Sequence, residues 1–300
     1  MKKQIIVDEN NYYKRLDKLL RFNFPKIKLG SIFKSIRKGH VYVNGKKIKK
    51  NDFNISIGDS VEIEIIDDKN MIRPLKPSMK ARPLDFEIIY ENDDFLVINK
   101  PSKVSMHPGQ GEQMVTIIEG VKYHANDSYD PHLVHRLDKL TSGVLIIAKN
   151  KNTSRLLSEI IQSRKAKKYY LTLLKGTLKN KSGELKSLVD SKEAHSEYSV
   201  LKEYETNLGF FSLVKVLIHT GRKHQIRVQF SEIGNPVLGD DHYGDRALNR
   251  EVKNNYGLRR FFLHAYNLKF NFKNKDYDLT AELDKDLKKV LSRIEENSIK

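Results

Sequence analysis

An unbroken apolar run, Val144-Leu-Ile-Ile-Ala148, follows directly on Leu137-Asp138-Lys139-Leu140-Thr141-Ser142-Gly143, and no other junction constrains the fold as strongly. A run of that length behind a turn signal reads as a strand buried on both faces. Asp138 then lies on a loop at the mouth of a sheet, where a rigid element holds a reactive group toward a ligand. His135 and Arg136 precede it and Lys139 follows. Neighbouring cations favour the charged form of a carboxylate, which suits a nucleophile or a base and not a general acid.

The chain has 300 residues, a length suited to two domains. Its 55 Lys and Arg against 38 Asp and Glu give a formal charge of +17. An excess of that size points to a polyanionic partner, since Lys and Arg gain affinity by releasing phosphate counterions. Membrane binding is not expected: no apolar stretch has spanning length, and no amphipathic basic helix or lipidation motif is evident. Met1-Lys2-Lys3-Gln4 leads into Val7-Asp8-Glu9-Asn10 without a signal-peptide core. Cys is absent, which excludes disulfides, thiolate catalysis and zinc-thiolate sites and fits the cytoplasm.

Residues 13–66 read as a small unit with two short helices, one around Leu16, Leu19, Leu20 and Phe22, the other over Leu29–Lys38. Ser31 is the expected N-cap of the second, and Gly39 ends it. Val41-Tyr-Val43-Asn44-Gly45 is a hairpin signal, and Ile57-Gly58-Asp59 a turn before the alternating Val61–Ile65. Residues 1–66 hold 15 Lys and Arg against 7 Asp and Glu, close to half of the excess charge. Residues 67–84, with Pro74, Pro77 and Pro83 among cations, form an expected basic linker.

Residues 85–296 form the larger unit. Strands are expected over Phe86–Tyr90, Phe95–Ile98, Lys168–Leu174, Phe210–Ile218 and Tyr266–Phe272. Helices are expected over Val115–His124, Ser154–Ser163 and Arg222–Ile233. Strand runs with scattered helices predict an α+β fold built on a mixed, mostly antiparallel sheet.

The string "HRLDKLTSGVLIIAK" resembles the catalytic motif of the RluA family of pseudouridine synthases, which convert uridine in folded RNA to its carbon-linked isomer. "VINKPSKVSMHPG", "KKYYLTLLKG", "HTGRKHQIRVQFSEIGNPVLGDDHYG" and "FFLHAYNLKF" follow the family's order around it. "HPGQGEQMVTIIEG" and the N-terminal unit tilt the match to the RluC-like branch, which modifies large-subunit ribosomal RNA. Residues 13–66 resemble the alpha-L type RNA-binding domain of a ribosomal small-subunit protein, which implies phosphate contact through Lys34, Arg37 and Lys38. The resemblance implies that Asp138 is the catalytic carboxylate, Arg227 its partner, and Lys100-Pro101 a brace for the active-site sheet. It places the family's Lys-x-Tyr pattern on Lys168 and Tyr170, with adjacent Tyr169 an open alternative. Tyr170 would stack on uracil and exchange a proton. Arg136 would fill the space left by a flipped base or touch the backbone, Lys168 would contact RNA, and Leu263 would form an apolar wall.

The residues also make chemical sense unaided. Isomerising uridine breaks the ribose–base bond and rejoins the base through carbon, and a carboxylate attacks an anomeric carbon, or takes a ribose proton, in related chemistry. No metal, nucleotide or redox cofactor is expected, and a monomer is. His132 with His135, and His219 near His224, have no carboxylate-rich company in sequence, so hydrogen-bonded roles are expected. Three departures from the family stand out: Lys139, Leu140 and Gln229. Two other readings remain open: a non-catalytic RNA-binding ribosome assembly factor, and a metal-dependent nuclease using Asp240 and Asp241.

Overall fold

The structure is a computed structural model that describes residues 2–9, 11–24, 27–64, 80–108 and 114–299. The chain divides into two compact units, Met1–Met79 and Lys80–Lys300.

In the smaller unit, β1 (Lys2–Ile6), α1 (Leu16–Asn23), α2 (Leu29–Arg37), β2 (Val41–Val43), β3 (Lys46–Lys47) and β4 (Ser60–Glu64) form a sheet of order β1-β4-β2-β3 beside two helices. Strand β1 precedes the expected start at residue 13 and pairs antiparallel with β4 over its whole length. Leu16, Leu19 and Leu20 of α1 pack with Ile32 and Ile36 of α2 on Val41, Val43, Val61 and Ile63. The expected N-cap at Ser31 is not one. Helix α2 begins earlier, after Lys28, and the Ser31 amide already donates to the Lys28 carbonyl at 2.9 Å. The Asn-Gly and Gly-Asp signatures serve each other: Asn44 donates to Asp59 at 2.8 Å and accepts from the Ser60 amide at 2.8 Å. One side-chain pair thus joins two turns of the sheet.

The larger unit opens with β5 (Glu87–Glu91), β6 (Phe95–Lys100), α3 (Ile117–Ala125), β7 (His132–Leu133), β8 (Ser142–Ala148) and α4 (Lys151–Gln162). It continues with β9 (Lys167–Lys175), β10 (Ser182–Val189), β11 (Lys192–Thr206), β12 (Gly209–Ile218), α5 (Gln225–Glu232) and α6 (Arg246–Tyr256). It closes with β13 (Leu263–Phe272), β14 (Lys275–Thr280) and α7 (Lys285–Glu296). The main sheet runs β10-β11-β12-β9-β13-β8-β6-β5, with β14 on β13 and β7 on β8. Its recorded pairings are antiparallel apart from β13 with β8, so the α+β class with a mixed, mostly antiparallel sheet holds.

Strands β6 and β8 explain the continuous apolar runs. Leu96, Ile98, Leu145 and Ile147 face one core with Ile117, Ile226 and Phe230, while Phe95, Val97, Val144 and Ile146 face another with Leu157. A strand covered on both sides reads as a near-continuous apolar run, with the buried polar residues Asn99, Lys100 and Ser142 confined to the strand ends. Helices α6 and α7 add a third cluster, Val252, Tyr256, Leu287, Val290 and Ile294, against Leu173 and Phe211.

Some expected boundaries move. The linker expected at 67–84 lies outside the described residues as far as 79. Its remainder belongs to the larger unit, where Leu84 packs on the core and the Arg82 amide donates to the Glu119 carbonyl at 3.3 Å. Helix α5 starts at Gln225 instead of Arg222, because His224 adopts a left-handed φ of 56°. Strand β13 starts at Leu263, ahead of Tyr266. Among the described residues no helix is long and apolar enough to cross a membrane.

Candidate active site

Asp138 sits on the loop that connects β7 to β8. The Thr141 amide donates to the Asp138 carbonyl at 3.0 Å and closes a turn. Gly143 then enters β8 with a φ of +113°, where a Cβ would stand 2.1 Å from the Ala265 carbonyl oxygen. Only glycine allows that close approach at a positive φ. It lets Ser142 and Gly143 pair in parallel with His264 and Ala265 of β13. Lys100, 0% exposed at the end of β6, donates to the carbonyls of Pro101, Lys139 and Thr141 at 2.9, 3.3 and 2.9 Å. Burial and the nearby Arg260 push its ammonium down to about 7, with Asp284 and Asp138 opposing.

The loop opens on a cavity of about 360 Å³. Asp138, Arg136, Lys168, Tyr170 and Leu263 all line it, together with His224. That volume falls in the range of small-ligand pockets, and an apolar wall that includes Ile218, Ile226 and Leu263 stands beside a strongly polar and cationic one that includes Arg136, Lys168, Arg222 and Lys223. Tyr170, not Tyr169, faces the cavity, since successive strand residues point to opposite faces. Tyr169 lies under the Lys215 ammonium, 5.7 Å from its ring centre. Burial, and then the charge of Asp138, push the Tyr170 phenol well above its usual range, so it stays protonated. Burial pushes the Lys168 ammonium down.

Arg227, on α5, is 6% exposed and lies over the Phe261 and Tyr243 rings, with its guanidinium carbon 4.3 and 5.0 Å from the ring centres. Its expected pairing with Asp138 is present as a long ion pair, while the fork of the guanidinium is engaged elsewhere. Nε and Nη2 donate to both carboxylate oxygens of Asp240, at 2.6 and 2.7 Å, and only Nη1 approaches Asp138 Oδ2, at 3.9 Å. The fork of the guanidinium fits one carboxylate in bidentate fashion, and Asp240 takes it. Burial works to raise the Asp240 carboxyl, but Arg227 and the His242 and Tyr243 amides hold it below its ordinary value. Asp240 is therefore a buried counter-ion and not half of an exposed Asp240-Asp241 metal pair.

His224 Nε2 lies 3.8 Å from Asp138 Oδ2, and its Nδ1 is 3.0 Å from the Tyr243 hydroxyl. Burial pushes its imidazole down, with Asp138 opposing and Arg227 and Lys223 adding to the effect. The other histidines separate. His132 meets Asp130 at 3.4 Å, and His135 accepts from the Ile146 amide at 3.1 Å. Burial, with Lys168 adding, pushes His135 down to about 3. His219 does have carboxylate company: it lies 2.6 Å from Glu197 and stacks on His195 at 4.3 Å. One ligand atom from each of His195, Glu197 and His219 lies within 4.8 Å of the others, a spacing that could hold a metal ion, so the expectation of purely hydrogen-bonded roles does not cover His219. Gln229, the family departure, anchors α5 by donating to the Leu185 and Ala194 carbonyls and accepting from Ser196.

Lys34, Arg37 and Lys38 stand exposed along α2 and its end, in the smaller unit. Sequence reasoning missed Asp240 as the partner of Arg227, and it missed Arg260 altogether. The local string Arg259-Arg260-Phe-Phe carries no signal that separates an exposed arginine from a buried one.

A carboxylate at a cavity mouth beside a buried arginine, on this sheet, defines a class that comparison with known proteins identifies. The chain belongs to the RNA pseudouridine synthase family: residues 94–232 match RNA pseudouridylate synthase and residues 14–61 match the S4 domain. It is 35% identical to an uncharacterized RNA pseudouridine synthase of Aquifex aeolicus over 95% of each chain. It is 34% identical to ribosomal large subunit pseudouridine synthase C of Escherichia coli, over 93% of this chain and 92% of that one. In fold it matches human RNA pseudouridylate synthase domain containing 1, with a TM-score of 0.56 at 24% identity over 66% of this chain and 84% of that one.

Proposed function

We propose that this protein isomerises uridine to pseudouridine in large-subunit ribosomal RNA, with Asp138 as the carboxylate that attacks the ribose or takes its proton. The observation that carries the reading is the placement of Asp138 at the cavity mouth, within 4 Å of Arg227 Nη1 and His224 Nε2. A flipped uridine enters the cavity, the bond from ribose to the ring nitrogen breaks, and the freed uracil turns. The anomeric carbon then bonds to the ring carbon, which loses its proton, and the ring nitrogen gains one. Atoms and electrons balance without a metal, nucleotide or redox partner.

Arg227 and the protonated Tyr170 steady the charge around Asp138, and the Tyr170 ring offers a stacking surface. Leu263 walls the base, Arg136 occupies the gap left in the RNA, and Lys168 faces phosphate. Residues 13–66 act as the RNA-binding domain, through Lys34, Arg37 and Lys38 on phosphates, and residues 85–296 as the catalytic domain. Both work as a monomer in the cytoplasm. The likeness to relatives named for the large ribosomal subunit supports the substrate, and the retention of Asp138 and Arg227 favours an enzyme over an assembly factor. The test is to incubate the purified protein with unmodified large-subunit ribosomal RNA, in EDTA-containing buffer, and map pseudouridines. New pseudouridines at discrete sites are expected. Their absence from folded RNA, or their appearance only on other RNA classes, would overturn the assignment.

A further inference from the structure

Arg260 is 2% exposed, although its neighbour Arg259 faces solvent. A guanidinium is stable in such a place only where its five N–H groups and its charge are met. Nε and Nη2 grip Asp286 at 2.8 and 3.0 Å, and Nη2 also reaches Asp284 at 3.2 Å. The rest of the fork turns toward the active site. Nη1 donates to the Leu140 carbonyl at 2.9 Å and to the Leu263 carbonyl at 3.4 Å, and Nη2 to Ser142 Oγ at 3.1 Å. The Ser142 hydroxyl donates onward to His264 Nδ1 at 2.9 Å, and His264 Nε2 donates to the Ala281 carbonyl at 3.2 Å. That tautomer is the one that makes both bonds.

Together with Lys100, which holds the Lys139 and Thr141 carbonyls, Arg260 completes a run of anchors on residues 139, 140, 141 and 142. The run starts one residue after Asp138. Two buried cations, alternating along the chain, thus fix the loop from below.

We propose that Arg260 is a positioning residue for uridine isomerisation, aiming Asp138 at the cavity through the backbone of residues 140–142. The inference rests on the reading of Asp138 as the attacking carboxylate. Asp284 and Asp286 stand at the start of α7, where acidic side chains are favoured by the helix dipole. Through them the C-terminal helix becomes part of the support for a carboxylate far away in sequence.

The experiment is steady-state kinetics on transcribed large-subunit ribosomal RNA, with thermal melting, for Arg260→Gln, Arg260→Lys and Asp286→Asn. Arg260→Gln is expected to lower kcat about tenfold or more, because small misplacements of a reacting group are costly. KM for RNA should stay within about twofold, the pattern of an interaction felt in the transition state. Arg260→Lys should recover part of kcat, since one ammonium cannot span Asp286, Leu140 and Ser142 together. Asp286 is half exposed, so Asp286→Asn reports on the link even if Arg260→Gln does not fold, and it should lower kcat in the same direction. Wild-type kcat in a folded Arg260→Gln protein, or a raised KM with kcat unchanged, overturns the proposal. Asp138→Asn is run in parallel. Full turnover there removes the reading of Asp138, whereas an inactive Asp138→Asn beside a normal Arg260→Gln removes only the positioning role.

Discussion

Arg227 spends its fork on Asp240, at 2.6 and 2.7 Å, and offers Asp138 only the outer face of Nη1 at 3.9 Å. A carboxylate locked into a bidentate pair would be a poor nucleophile, because attack would first require breaking two charge-assisted bonds. Asp138 keeps the field of the cation without being held by it. Asp240 thereby sets the reach of Arg227.

Asp138→Asn should abolish pseudouridine formation while RNA affinity stays at the wild-type level. The amide is nearly isosteric and loses the negative charge that attack on the ribose requires. Turnover and filter binding on the same RNA check it; turnover near wild type in the purified variant would remove Asp138 from its role.

Asp240→Asn should destabilise the protein by about 3–5 kcal/mol, because it leaves a buried guanidinium without a counter-charge. That corresponds to a fall in melting temperature on the order of 10 °C for a unit of this size. Asp240 is 1% exposed and Arg227 6%, so solvent relieves little of the loss. Calorimetry of the variant decides it, and an unchanged melting temperature would mean that the pair is not the keystone described.

Acid should unfold the protein well before its carboxylates alone would. His264 is held down to about 4, chiefly by burial, and His135 down to about 3. Each accepts a hydrogen bond at a ring nitrogen and must be neutral to do so. Between the ordinary histidine value of about 6.5 and these folded values, the unfolded chain binds protons that the folded chain refuses. Stability is therefore intact above pH of about 6.5 and falls as pH drops through 4 and then 3, by on the order of 3 kcal/mol per histidine. Melting curves from pH 7 to 4.5 should slope less steeply in His264→Gln than in the wild type.

Removing Met1–Met79 should leave a folded enzyme that binds RNA more weakly and with less salt dependence. The larger unit keeps its own cores and all residues lining the cavity. Loss of the three phosphate contacts proposed for Lys34, Arg37 and Lys38 should shrink the slope of log affinity against log salt by about 2 to 3. Superimposable plots for the two proteins would relieve the small unit of that task.

Much of this was legible in the sequence where burial leaves a pattern. The continuous apolar residues of β6 and β8 announce strands covered on both faces, and Asn44 and Asp59 announce turns. The β10–β11 hairpin left no such mark. Strand β10 alternates between exposed and half-buried positions carrying Gly183, Leu185 and Ser187, and its turn residues are Asp190 and Ser191, at φ 51° and 59°, not Asn-Gly. Helix α6 buries little more than Val252 and Tyr256, so its apolar period is thin. At the site, sequence supplied Arg136, Asp138, Lys168, Tyr170 and Leu263 of the lining and the approach of Arg227 to Asp138, but not the tighter pairing of Arg227 with Asp240. Tyr169 and Tyr170, like Arg259 and Arg260, are identical neighbours whose fates differ only by the face the backbone turns inward.

Because β8 is buried on both faces and paired on both edges, its amides should be among the last to exchange with deuterated solvent. Asp138 is tethered to that slow-exchanging unit. Local breathing at the outer hairpins can therefore proceed while the Asp138 carboxylate stays in register, and heat should extinguish catalysis only as the whole cooperative unit opens.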